Sequence, residues 1–213
     1  MDLKQSLKGR TRELITFAWS IFSNKVGNRI ITINKEASMQ LRYAYILQQL
    51  IPFIILNKNE KIDLELETTI NDGNTNREVD IFIIGSDGND DFKIAIELKC
   101  YKKISSSGTS RGATDIFMKT IYDDLYHLEL YCKNSGIDIG IELVMHDFIN
   151  FVKPKKKKAK CWDYDISNEY KFCGPKSFNT PVGGKPVNIT LSKNYEFKWE
   201  NIGEFWFMEL EGK

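Results

Sequence analysis

The chain has 213 residues, of which 42% are hydrophobic and 28% charged. These are ordinary values for a folded protein, and they exclude wholesale disorder. Lys and Arg (30) almost balance Asp and Glu (29), a formal net charge of +1, so a nucleic-acid contact has to come from a local concentration of charge. No apolar stretch approaches the ~20 residues of a membrane span. The first residues, Met1 to Gln5, lack the basic start and apolar run of a secretion signal. The expectation is a cytoplasmic protein with no membrane contact, in which the scattered Cys100, Cys132, Cys161 and Cys173 form no disulfide framework.

Residues 3–22 carry apolar side chains at Leu3, Leu7, Leu14, Ile15, Ala18, Ile21 and Phe22, the spacing of one buried helical stripe. Asn34 is the expected cap of a second helix that begins near Lys35, turns Leu41, Ala44, Tyr45, Leu47 and Ile51 inward, and stops at Pro52. Residues 62–69 alternate, with Ile62, Leu64 and Leu66 opposite Asp63, Glu65 and Glu67, as in a half-exposed strand. After a turn at 71–74, two strands at 78–84 and 92–100 flank Ser86-Asp87-Gly88-Asn89-Asp90, a hairpin signal. A polar loop at 105–112 precedes a helix over 113–132, with Ile116, Phe117, Ile121, Leu125 and Leu128 inward, and a buried strand over 139–145. This order predicts an α/β fold, a central mixed sheet flanked by helices, in residues 1–150. Residues 151–213, with Pro154, Pro175, Pro181 and Pro186 and short β-like pieces, read as a β-rich extension packed on the same domain.

Within this frame one tripeptide stands apart. Acid, any residue, lysine is common by itself, but Glu97-Leu98-Lys99 follows Ile94-Ala95-Ile96, so its strand is apolar on both faces and its charges need partners. A two-residue turn at Gly88-Asn89 sets Asp80 directly across from Glu97; a turn at Asp87-Gly88 sets it opposite Ala95, diagonal to Glu97. Either register keeps Asp80, Glu97 and Lys99 on one face, because side chains alternate with period two. Facing carboxylates repel and raise each other's pKa, which a hard divalent cation such as Mg²⁺ or Mn²⁺ relieves. A lysine beside them can orient or deprotonate a water and offset phosphate charge, so the implied reaction is phosphodiester hydrolysis.

Arg77-Glu78-Val79-Asp80, a hairpin and then Ile96-Glu97-Leu98-Lys99 resemble the PD-(D/E)XK nuclease superfamily, which includes many restriction endonucleases. Val79 stands where the eponymous proline would be. The resemblance covers about half the chain and implies a restriction-endonuclease-like core of α-β-β-β-α-β order. It implies catalysis by Asp80, Glu97 and Lys99, an added carboxylate from the preceding helix at Glu36, and a metal held by Asp80, Glu97 and Leu98. The activity it implies is a Mg²⁺-dependent (or Mn²⁺-dependent) DNA endonuclease, of the type II restriction or bacterial defence kind, acting on double-stranded DNA and plausible as a homodimer. The alternative is a nuclease-fold module that binds DNA or a protein without cleaving it.

Other charged groups have plainer readings. Glu65, Glu67 and Glu78 read as a solvated strand face, Asp123 and Asp124 as an exposed helical face, and His127 and His146 as ordinary surface or core residues. The run Lys155, Lys156, Lys157 and Lys158 fits equally a solvated loop or a contact to phosphates, with Trp162 and Tyr164 offering aromatic surface nearby. Lys102, Lys103, Arg111 and Lys119 are the further basic candidates for DNA, and Tyr122 for the scissile phosphate.

Overall fold

The computed structural model describes residues 2–104 and 108–213, so Ser105, Ser106 and Ser107 of the expected polar loop lie outside the described residues. Helix α1 spans Leu7–Gly27, starting later than its apolar pattern because the Ser6 hydroxyl accepts the Gly9 N–H (3.2 Å) and caps it there. Helix α2 spans Glu36–Leu50 and runs into a short 3₁₀ turn, Ile51–Phe53, that contains Pro52. Asn34 is not its cap: Lys35 holds that position, and the Ser38 hydroxyl reaches back to accept the N–H groups of Asn34 and Lys35. Of the expected inner set, Ala44, Leu47 and Ile51 are buried, but Leu41 and Tyr45 are 62% and 60% exposed, and Met39, Gln40 and Tyr43 complete the inner face instead. Both sets have helical spacing, but Tyr43 can bury its ring and still donate its hydroxyl to the Ile15 carbonyl (2.9 Å).

Three long strands follow, β1 Lys61–Asn71, β2 Asn76–Ser86 and β3 Asp91–Tyr101, in an antiparallel meander. Ser86 pairs with Asp91 and Ile81 with Ile96, so the hairpin takes the register that puts Asp80 across from Glu97. Helix α3, Thr114–Asn134, then crosses over to β4, Ile139–His146, which runs parallel to β3 as a crossover helix allows. Its inner face is Phe117, Met118, Ile121, Tyr122, Leu125 and Leu128; Ile116, expected inside, is exposed.

The C-terminal third contributes a short helix α4, Ile149–Val152, and the strands β5 Lys171–Phe172, β6 Lys176–Phe178, β7 Ile189–Leu191, β8 Tyr195–Glu196, β9 Glu200–Ile202 and β10 Phe205–Leu210. β10 pairs with β4, giving a mixed six-stranded sheet of order β1-β2-β3-β4-β10-β9. The fold is therefore α/β, with residues on both sides of position 150 in one sheet. One face packs α1 and α2 on Ile81, Ile83, Ile94, Ile96, Leu98 and Ile141. The other packs α3 and the short strands, with Tyr122 among Phe172, Phe178 and Phe197. Covering on both faces explains why β3 is apolar throughout. Among the described residues no helix is long and apolar enough to cross a membrane.

Candidate active site

Asp80, Glu97 and Lys99 meet on the α3 side of the sheet, lining a cleft of ≈ 600 Å³ between the β1–β2 hairpin and α3. Asp80 is held from several directions. Its Oδ2 accepts the Leu98 N–H (2.7 Å), and its carbonyl accepts Gln40 Nε2 (2.7 Å) from α2. Its carboxyl is in hydrogen-bond contact with that of Glu97, so without a cation one of the two must hold a proton. Burial raises both, Glu97 well above the usual carboxylate range, with the charges of Asp124 and Asp80 adding to the effect on Glu97.

Lys99 lies 2.7 Å from Asp124 on α3 and 3.6 Å from Glu36, the first residue of α2, and its amine also donates to the Leu98 carbonyl (3.2 Å). Burial works against its charge, but Asp124, Glu36 and Glu142 outweigh burial and hold its pKa well above the ordinary value. The surrounding carboxylates thus favour the charged form of Lys99. Glu36 accepts the Cys100 N–H (3.3 Å), and burial raises its pKa against the pull of Lys99.

Two acids of this centre were not singled out in the sequence. Asp124, read as part of an exposed helical face, is turned inward: burial lifts its carboxyl to about 6 despite the Lys99 contact. Glu142 on β4 is 0% exposed, beside Glu97 in the parallel ladder, and among the described residues neither of its oxygens has a hydrogen-bond partner. Its pKa is pushed well up, by burial first and then by Asp124. A lone acid inside Ile139-Gly140-Ile141-Glu142-Leu143-Val144 was the available signal, since a buried strand tolerates an acid only at a cost.

Glu67 is not simply solvated either. It has φ 53° in the middle of β1, a left-handed conformation that costs roughly 1–3 kcal/mol in a residue other than glycine. Gln40 Nε2 bridges the Glu67 carboxylate (2.5 Å) and the Asp80 carbonyl, and the Glu67 charge adds to the rise at Asp80. The hairpin turns over at this point. Ile81 and Ile83 pack toward α1 and α2, and period two would send Val79 there too, yet Val79 lies with Ile70, Leu128 and Tyr131 on the α3 side. Pairing stays in step across the switch, with Leu66 opposite Ile81 and Thr68 opposite Val79.

The remaining candidates are dispersed. Leu98 buries its side chain on the opposite face, so the carbonyl now bonded by Lys99 is its only oxygen. Lys102 donates to the Ile33 carbonyl (3.1 Å) and sits over the Phe205 ring, whereas Lys103 and Arg111 lie beyond the end of β3, joined by a main-chain bond. Lys119 is paired with Asp123. Tyr122 cannot reach a phosphate: it is fully buried, and its hydroxyl donates to the Asp165 carbonyl (2.6 Å). Lys155, Lys156 and Lys158 are exposed, but Lys157 donates to Asp165 (2.6 Å) and Ser167 (2.8 Å). His146 is buried against Trp199 and Phe151, and burial drives its pKa down to about 3.

A larger hollow of ≈ 760 Å³ opens between α1 and the C-terminal strands, but its Arg12 is already tied to Glu209 and Glu211 at 2.6 Å each. The smaller cleft is the one that gathers carboxyls whose pKa burial raises, Asp80, Glu97 and Asp124. Among the described residues no group of three or more His, Cys, Asp and Glu side chains is gathered closely enough to hold a metal ion. No protein-family model, curated protein or solved structure matches the chain.

Proposed function

We propose that the protein is a divalent-cation-dependent endonuclease of the PD-(D/E)XK type that hydrolyses phosphodiester bonds in double-stranded DNA. The observation that carries this reading is the meeting of Asp80, Glu97 and Lys99 at one end of a cleft, ringed by Glu36, Asp124 and Glu142. The order α2, β1, β2, β3, α3, β4 supports it as a restriction-endonuclease-like core.

The donor set suits a hard cation. Asp80 and Glu97 are oxygen ligands that repel each other, Glu142 has two oxygens with no partner among the described residues, and the single charge of Lys99 cannot balance so many carboxylates. Asp80, Glu97 and the Leu98 carbonyl would hold the ion; only two of these are side chains, so such a site needs no third carboxylate. Bound Mg²⁺ or Mn²⁺ would supply charge to offset the acids and polarise a phosphoryl oxygen. The ammonium of Lys99, kept charged by Asp124, offsets negative charge on the phosphate. Asp124, which burial lifts to about 6, is in contact with Lys99 Nζ. Gln40 orients Asp80 through its carbonyl. Cutting both strands of a duplex calls for two such centres, hence a homodimer in the act of cleavage.

A second reading, a DNA- or protein-binding module without cleavage, is favoured by the lack of a ready three-side-chain metal group among the described residues. Incubation of the pure protein with plasmid in Mg²⁺ or Mn²⁺, and then with EDTA, separates the two. Cleavage that needs the cation, and is abolished in Asp80→Ala and Glu97→Ala proteins that still fold, is the expected result. Full activity in either variant, or intact plasmid with the wild type, refutes the nuclease.

A further inference from the structure

The face switch at Glu67 carries the hairpin tip, and with it Arg77, into the wall of the acid-lined cleft. By strand alternation Arg77 would lie on the α1 side; the reversal that moves Val79 moves it too. At the tip sits Asp72, 2% exposed, which accepts the N–H groups of Asn74 and Thr75 at 2.8 Å each. Its Oδ2 also lies 3.3 Å from Arg77 Nε and 3.3 Å from Nδ1 of His127, which comes from α3. One buried carboxylate therefore bonds an arginine and lies beside a histidine from a second element, along the same stretch of cleft.

The turn itself does not need Arg77. The Asn74 and Thr75 amides close it, and Asn134 donates to the Asp72 carbonyl (2.7 Å) from the end of α3. Only Nε of Arg77 is engaged, so among the described residues its Nη groups, the fork that grips a phosphate, meet no protein acceptor. Its side chain is half exposed, whereas that of His127 is largely covered.

We propose that Arg77, oriented by Asp72 and flanked by His127, binds a DNA backbone phosphate neighbouring the scissile one at the Asp80 and Glu97 end of the cleft. This deepens the nuclease reading and rests on it. The cleft then has two ends: acids and Lys99 where the bond is cut, and a guanidinium where the strand is gripped. A phosphate contact fixes the register of the strand without reading its sequence.

The test is titration of labelled duplex DNA against wild type, Arg77→Gln and Arg77→Lys over a series of salt concentrations, with Ca²⁺ replacing Mg²⁺ to slow cleavage, alongside plasmid cleavage in Mg²⁺. Arg77→Gln should bind about tenfold more weakly whatever the DNA sequence, and its log-affinity against log-salt slope should fall by about 0.9, the value of one lost contact. Arg77→Lys should keep the slope and recover part of the affinity, which also guards against a folding defect in the glutamine variant. Unchanged affinity and slope in Arg77→Gln, with a wild type that cleaves, overturns the phosphate contact and leaves the nuclease standing. A wild type that neither binds nor cuts DNA overturns both.

Discussion

Glu142 offers the sharpest test of how the centre is built. It is fully buried, both of its oxygens lack partners among the described residues, and its neighbours Asp124 and Glu97 are themselves acids. In the folded protein it is held protonated to well above the ordinary carboxylate range, while in the unfolded chain it ionises freely. The folded state therefore binds the extra proton once pH passes the unfolded value, and stability falls as pH rises from there toward the folded pKa. Glu142→Gln keeps the shape and removes that dependence. Each pH unit over which the wild type pays this linkage penalty and the variant does not is worth about 1.4 kcal/mol, and in a chain of this size each kcal/mol moves Tm by about 2–4 °C. In EDTA the variant should thus melt higher than wild type at pH 8, the gap growing by about 3–5 °C per pH unit above the ordinary carboxylate pKa and closing toward pH 4. Thermal unfolding followed by circular dichroism across that pH range decides it. A variant less stable at pH 8, or a gap that does not change with pH, would refute the assignment of Glu142 as a buried, unpartnered acid.

Asp124 should add to the same pH dependence. Lifted from 3.8 to about 6, it costs the metal-free protein up to about 3 kcal/mol between pH ~4 and ~6, lost as pH rises. Mg²⁺ or Mn²⁺ should restore stability above that window: a cation at 100 times its Kd adds about 2.7 kcal/mol. The gain should be absent in Asp80→Ala, and a Tm indifferent to both cations at pH 8 would count against metal binding. In the lysine run, replacing Lys155, Lys156 and Lys158 by Gln should weaken DNA binding equally for all sequences and flatten its salt dependence. Equal affinities and slopes would remove that loop from the DNA surface. Lys157→Gln should instead lower stability by about 1 kcal/mol, discounted for its partial exposure, because buried Asp165 loses its partner; an unchanged melt would show the pair to be idle.

The strand parity of Asp80, Glu97 and Lys99 was legible in the sequence because alternation in a hairpin is a local rule, and the Asp87–Asp90 turn needed only one of two registers to be chosen. The α/β class was legible for the same reason: runs of period two and of helical period alternate along the chain. The inner face of α2 was legible only in part. Leu41 and Tyr45 have the same spacing as Met39 and Tyr43, and which pair turns inward depends on the sheet surface beneath. Asp124 was legible and passed over: at helical spacing from Phe117, Ile121 and Leu128 it falls on the expected inner stripe of α3, and only its pairing with Lys99 had to come from the tertiary structure. The reversal at Glu67 was hidden. Nothing in an alternating strand announces a left-handed residue, and this one persists only with tertiary support: Gln40, one turn into a helix that precedes β1, bridges the Glu67 carboxylate and the Asp80 carbonyl. The sequence by itself determined which strands carry the acids and lysine and that they share a face. The tertiary structure decided which further acids close around them and which cation the hairpin tip brings alongside, since both depend on contacts between segments far apart in the chain.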